Sequence, residues 1–218
     1  MFCFALEVEA GPFRQLTQRR EEVEILLTGM GKSNAQKSVS HYLQNNSPAH
    51  LLTCGFAGAL NPQLQIGEVV VQEDSIGGSP RETVQSGLIS DRDFAKQGRF
   101  FFSSRMVCSA AEKQELFRTT GAEAVEMESG IIQEICREKK VACSTVRVIS
   151  DTADQDLPLD FNRFVNPDCS LNHGKLALGI VTSPWKIAGL MRLQRDCKFA
   201  AKCLASFLVE LLDKHQTC

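Results

Sequence analysis

The 218-residue chain is long enough to bury the core of one large α/β domain, and a single domain over residues 1–218 is expected. Hydrophobic residues at 43% and charged residues at 23% are ordinary for a water-soluble globule. A formal net charge of −2 excludes bulk attraction to nucleic acid or to an anionic membrane.

The elements alternate strand and helix from the start. Met1–Leu6 is a short apolar run ending in acids and reads as a buried strand. Glu7–Gln18 reads as a helix, with Gly11-Pro12 near its start. Glu22–Thr28 is a second strand. Ser33–Gln44 has helical periodicity and stops at Asn45-Asn46-Ser47-Pro48. His50–Cys54 is a short buried strand that runs into GFAGALNP, read as a small-residue loop. Gly67–Gln72 is a strand, and Glu73–Gly98 is the least regular part of the chain. Arg99–Val107 reads as a strand and Ala110–Thr119 as a helix. Met127–Lys139 is an amphipathic helix, followed by the strand Ala142–Ile149. Asp151–Asp168 is a loop of a length that usually carries function. Leu171–Val181 and Ile187–Leu212 read as helices, the latter with Leu190, Leu193, Phe199, Leu204, Phe207 and Leu211 as its apolar members. This alternation predicts a layered α/β fold.

Nine cysteines, an odd number with no CxxC pair, fall partly inside apolar runs such as LLTCGF and VACSTV. They read as reduced, buried thiols of a cytoplasmic protein rather than a disulfide framework. The four histidines show no ligand spacing with the cysteines, so no metal site is expected. No apolar run is long enough to span a bilayer, and no signal peptide is read at the N-terminus.

Two glycine segments invite a nucleotide-loop reading. Thr28-Gly-Met-Gly-Lys-Ser33 lacks the first glycine of GxxxxGK[ST], since Leu26 stands at that position, so it is read as a tight strand-to-helix turn. Gly55-Phe-Ala-Gly58 is not GxGxxG, but it follows a buried strand. It is either a tight turn or a place where backbone amides approach a ligand.

The richest stretch is 124–154, AVEMESGIIQEICREKKVACSTVRVISDTAD. It sets Glu-Met-Glu at the head of a helix and ends the next strand in Ser-Asp-x-x-Asp. Acids at strand ends of an open α/β sheet sit where such folds bind ligands, and burying a carboxylate without a task is costly.

With ALEVE at 5–9, TGMGKSNA at 28–35, TCGFAGALNP at 53–62, IGEVVV at 66–71, AVEME at 124–128 and VRVISDTAD at 146–154, the chain resembles the purine nucleoside phosphorylase and methylthioadenosine/adenosylhomocysteine nucleosidase superfamily. SAAEK at 109–113, ISDTADQDLP and PWKIAGLMRLQRD look similar to a phosphorylase sub-branch associated with hopanoid biosynthesis, whose members are proposed to act on adenosylhopane; that sub-branch points to phosphate as acceptor, the Glu9 pattern to water. The resemblance implies a three-layer fold, a central twisted mixed sheet, partly barrel-like, flanked by helices. It implies cleavage of the N-glycosidic bond of a 5′-substituted adenine nucleoside, with water or phosphate as acceptor. It implies a homo-oligomer, a dimer favoured, with a small-molecule nucleoside as substrate. No cofactor is implied, phosphate being a possible co-substrate, and no nucleic acid. A catalytically inert nucleoside-binding module is the rival of another class.

The resemblance also assigns residues. Asp151 matches the general acid that serves the purine N7; otherwise it caps the following turn. Glu128 matches the carboxylate on the ribose hydroxyls, with Met127 packing on the sugar. Glu126 suits a helix-start acid favoured by the dipole. Glu9 matches the acid that activates water, with Glu7 competing for that place. Arg147 matches an arginine near the ribose, or else forms a salt bridge to a nearby acid. Phe161 and Leu6 match residues at the 5′ end of the substrate. Gly55 and Phe56 lie near the nucleophile, and Ser109 and Ala110 fall where the purine-contacting segment lies. The sequence departs from the nucleosidase pattern at Phe56, where a small serine is usual, and in Glu73–Gly98, which often holds a longer insert.

Overall fold

The computed structural model describes residues 1–73, 95–164, 166 and 184–216. The strands are β1 (Phe2–Phe4), β2 (Ile25–Leu27), β3 (His50–Ala59), β4 (Val69–Glu73), β5 (Lys96–Gln97), β6 (Phe100–Phe102), β7 (Ala124–Glu126) and β8 (Ala142–Asp151). The helices are α1 (Glu7–Leu16), α2 (Lys32–Asn45), α3 (Ala110–Thr120), α4 (Ser129–Lys139) and α5 (Ile187–Gln216), with short 3₁₀ turns at Phe161–Phe164 and Pro184–Lys186. The expected helix at Leu171–Val181 lies outside the described residues.

Alternation along the strands builds the layers. Phe2, Phe4, Leu52, Val146 and Val148 point to one face, where they pack with Phe13 of α1 and Leu204 and Leu208 of α5. Cys3, Leu51 and Cys143 point to the other, against Val39 of α2 and Ile132 and Ile135 of α4. The result is three layers around one mixed sheet, ordered β2-β1-β3-β8-β4-β5, with β7 joining β3 and β6 joining β7. The described strands do not close into a barrel. Among the described residues no helix is long and apolar enough to cross a membrane.

One feature of the sheet positions everything that follows. β1 runs parallel to β3 and stops at Phe4, opposite Cys54. β7 runs antiparallel along the same edge of β3, pairing Ala124 with Ala59 and Val125 with Gly58. The two strands thus advance toward each other and halt before meeting. Residues 55–57 of β3 are left without a strand partner on that edge, and both C-terminal ends empty into the gap. On the other edge β3 pairs with β8, with an irregularity that sets Ala57 opposite Ile149 and Gly58 opposite Asp151. Ser150 is the extra residue, and such a bulge re-aims the side chains beside it.

Several elements differ from the sequence reading. β3 does not end at Cys54; the GFAGA segment is extended strand through Ala59. Glycines and alanines hide it because they leave no alternating pattern to read. Pro12 lies inside α1, which starts at Glu7. Glu126 belongs to β7, so the Glu-Met-Glu run joins a strand to a helix, with Glu128 as the N-cap of α4. Only Phe100–Phe102 of the expected Arg99–Val107 strand pairs. Phe199, expected in the core of the last helix, is exposed.

Candidate active site

A cavity of about 560 Å³ opens over the gap in the sheet. Its floor is Phe56, Ala57 and Gly58 of β3, and its rim comes from the ends of β1, β7 and β8. Glu9, Glu126, Glu128 and Asp151 all line it.

Glu9 sits at the third position of α1 and reaches back to the helix start. The Leu6 amide donates to its Oε2 at 2.8 Å, one half of a capping box. The Phe56 amide, freed by the missing strand, donates to its Oε1 at 2.8 Å. Burial pushes the Glu9 carboxyl above the usual range, against the opposing pull of these amides and of Arg147. Gly55 explains itself here: a Cβ at that residue would stand 2.8 Å from Glu9 Oε1.

Glu128 is held by the glycine turn. Gly29 and Gly31 adopt φ of +83° and +86°, which glycine tolerates best. The Gly31 amide, at the N-terminus of α2, donates to Glu128 Oε1 at 2.7 Å. A helix N-terminus shaped like an anion site therefore receives a carboxylate from within the chain. Burial raises the Glu128 carboxyl to about 7, with Arg147 lowering it and Glu126 adding to the rise.

Beneath lies a buried ion pair. Arg147 Nη2 stands 2.6 Å from Glu126 Oε2, and both side chains are buried. Arg147 also donates to Thr53 Oγ1 at 3.2 Å. Glu126 accepts from the amides of Glu128 and Ser129, at 3.1 and 2.8 Å, and so fixes the start of α4. Breaking such a pair by removing one partner costs about 3–5 kcal/mol.

Asp151 ends β8. The Ser150 hydroxyl donates to its Oδ1 at 2.7 Å. Lys113 of α3, fully buried, places its Nζ 2.5 Å from Asp151 Oδ2. The same ammonium donates to the carbonyls of Thr152 and Gln155 at 2.8 and 2.9 Å, so three acceptors surround one buried charge.

The opposite end of the cavity is apolar, with Leu6, Val8, Met106, Leu157, Phe161 and Leu193 on its wall. Arg105 is the one cation among the described lining residues, and it is bonded to Glu112 at 2.5 Å.

A family model of the Phosphorylase superfamily matches residues 7–93 and 94–182. The chain belongs to this superfamily. Among its relatives is the aminodeoxyfutalosine nucleosidase of Campylobacter jejuni, 26% identical over 188 residues, covering 75% of this chain and 80% of the relative. The 5′-methylthioadenosine/S-adenosylhomocysteine nucleosidase of Staphylococcus carnosus is 25% identical over 171 residues, covering 66% and 75%. Of the solved structures, the Helicobacter pylori 5′-methylthioadenosine/S-adenosylhomocysteine nucleosidase with butyl-thio-DADMe-Immucillin-A superposes with a TM-score of 0.69 at 18% identity, covering 98% of this chain and 97% of that one. The fold is thus that of the superfamily, as the resemblance of the motifs implies.

In this superfamily member, Leu6, Glu9, Phe56, Met127, Glu128, Asp151 and Phe161 are brought together around one cavity. Gly55 and Arg147 are not on its wall; they line a small void beneath it with Glu9 and Glu128. Of the two readings left open for Arg147, the salt bridge is the one found. Ser109 and Ala110 also lie off the wall. Ser109 caps α3, accepting from the Glu112 amide at 3.3 Å, and the Ala110 amide donates to Asp156. Arg105, Met106 and Val107 occupy that wall instead. They went unread because the strand expected there conceals a loop. Phe56 holds Glu9 through its amide, which any residue but proline would supply, so that hold does not need a serine hydroxyl. Lys113 gave one signal in the sequence: a cation three and four places before Leu116 and Phe117, on the apolar side of its helix.

Proposed function

We propose that the chain hydrolyses the N-glycosidic bond of a 5′-substituted adenine nucleoside. Breaking that bond puts positive charge on the sugar and negative charge on the base. Asp151, paired with the Lys113 ammonium in the resting site, passes the purine N7 a proton that it shares with the bound base, and the ammonium stabilises the carboxylate left behind. Glu128 holds the ribose hydroxyls and, ionised, supports the cationic sugar, with Met127 against the ribose. Glu9 takes a proton from the attacking water; burial raises its carboxyl, which makes it a stronger base than an exposed glutamate.

The observation that carries water over phosphate is Glu9, held at the gap in β3 by the Leu6 and Phe56 amides. Water needs such a base, whereas a phosphate dianion would meet an acid in that place, and the one arginine among the described lining residues is already bonded to Glu112. Nucleosidase relatives of Campylobacter and Staphylococcus support the same choice. The apolar wall of Leu6, Val8, Phe161 and Leu193 supports a hydrocarbon-like 5′ substituent, in keeping with the adenosylhopane resemblance.

The test is adenine release from methylthioadenosine, adenosylhomocysteine, adenosine and an adenosine with a long alkyl 5′ group, each with and without phosphate. Release independent of phosphate, fastest for the alkyl substrate, is expected. Release that requires phosphate and yields ribose 1-phosphate would assign phosphorolysis and overturn the role of Glu9. No release from any of the four would leave the inert binder.

A further inference from the structure

The second half of α5 behaves as a core helix, burying Ala200, Ala201, Leu204, Leu208 and Leu211. Its first half does not. By helical spacing, Ile187, Met191, Arg195, Lys198, Phe199 and Lys202 share one face. Leu193 and Cys197 face the other way and line the cavity. On the outer face large apolar side chains stand in water: Met191 is 66% exposed, Phe199 54%, Ile187 43%, and Trp185 in the preceding turn 74%. They are interleaved with exposed Arg192, Arg195, Lys198 and Lys202. From Trp185 to Lys202 the chain has five cations, at Lys186 and these four, and one acid. That acid, Asp196, is buried and bonded to Arg195 at 3.1 Å. The face therefore carries a strong local positive charge on a molecule whose net charge is −2.

We propose that this face docks the protein onto an anionic lipid surface. A tryptophan beside a helix that mixes aliphatic side chains with lysines and arginines is the chemistry of an interfacial helix. The apolar groups enter the acyl boundary while the cations meet the headgroups. Long basic side chains allow this, since their stems lie along the apolar surface and their charges reach outward. A second copy of the chain is the poorer partner, because a two-fold contact would set these cations against themselves. Docking stands on the surface alone. Its benefit, holding the apolar end of the cavity beside the lipid, rests on the substrate proposed above.

The experiment is co-sedimentation with vesicles of phosphatidylcholine, alone or mixed with phosphatidylglycerol, at low and high salt. The chain has a single tryptophan, so Trp185 fluorescence reports insertion directly. Binding only to the mixed vesicles, a blue shift of Trp185 and release by salt are expected. Each basic residue near such a surface contributes about a fivefold gain in binding, so Lys198→Gln with Lys202→Gln should weaken it about thirtyfold. Ile187→Ser with Met191→Ser should abolish the blue shift, and both double variants should keep the native circular dichroism. Equal binding to both vesicle types, or to neither, overturns the proposal. So does a concentration-dependent dimer in light scattering that Met191→Ser disrupts, or retardation of single-stranded DNA without vesicle binding. None of these outcomes depends on catalysis.

Discussion

Glu128 carries two opposing demands in one side chain. Its folded carboxyl lies near 7, above the ordinary 4.5, because burial disfavours the charge. Stability contributed by the neutral form is complete below about pH 4.5 and lost as pH climbs through about 7. The loss is on the order of 3 kcal/mol. The proposed chemistry needs the ionised form, so kcat/KM should rise through the same window while stability falls. Urea melts and rate profiles across that range check both, and Glu128→Gln should flatten both curves. Asp151 is simpler. Asp151→Asn should lower turnover by roughly 10²–10⁴-fold and, by leaving the buried Lys113 ammonium without its carboxylate, also lower the melting temperature; near-normal rates of the folded fraction would remove it as the acid. Lys113 is a different case, since Lys113→Met leaves Asp151 beside a buried gap. Denaturant titration should show a loss of about 3–5 kcal/mol, with the activity of the folded fraction also reduced.

At the scale of elements, the hold on Glu9 depends on the plainness of β3. Gly55→Ala would press a methyl group to within 2.8 Å of Glu9 Oε1 and move the carboxylate. Displacement of a catalytic group by about 1 Å can cost about a hundredfold, so kcat for base release should fall about that much while α1 and the sheet persist by circular dichroism. The same plainness limited what the sequence revealed. β8 was legible because Val146, Val148 and Ile149 crowd a short β-branched stretch, and α2 because Ala35, Val39 and Leu43 recur at helical spacing. The Gly55–Ala59 half of β3 was not, since around Phe56 its residues are small, with Gly55 leaving room for Glu9 and Gly58 for Asp151. β7 was missed for a related reason. Three residues are too few to show alternation, and its last, Glu126, looks like a helix-start acid until Arg147 is seen beneath it. The acids at 9, 128 and 151 were legible as a group through the resemblance of ALEVE, AVEME and VRVISDTAD to the superfamily, and the structure places them at or just beyond the ends of β1, β7 and β8, where this class of sheet binds ligands.

For the whole molecule, averages conceal what matters. A net charge of −2 gives no hint that the cavity gathers carboxylates while the outer face of α5 gathers cations. The two regions differ in their sensitivity to salt. Charges exposed on α5 are screened within a Debye length of about 8 Å at physiological ionic strength, whereas the buried pairs of Arg147 and Lys113 are screened far less. Raising salt should therefore release the protein from anionic vesicles while leaving base release from a soluble nucleoside nearly unchanged. Parallel sedimentation and activity assays would show whether the two responses separate.

The head-on approach of β1 and β7 along β3 also bears on how the protein comes to life. Glu9, Phe56, Glu128 and Asp151 reach one another only after the first strand, a middle strand and the last long strand have all found their places. No segment shorter than about two thirds of the chain contains them all, and none of the pairings that join them is local. A nascent chain emerging from the ribosome has no half-built version of this site to misuse. Recovery of activity during refolding should follow the slowest strand closure and not precede it.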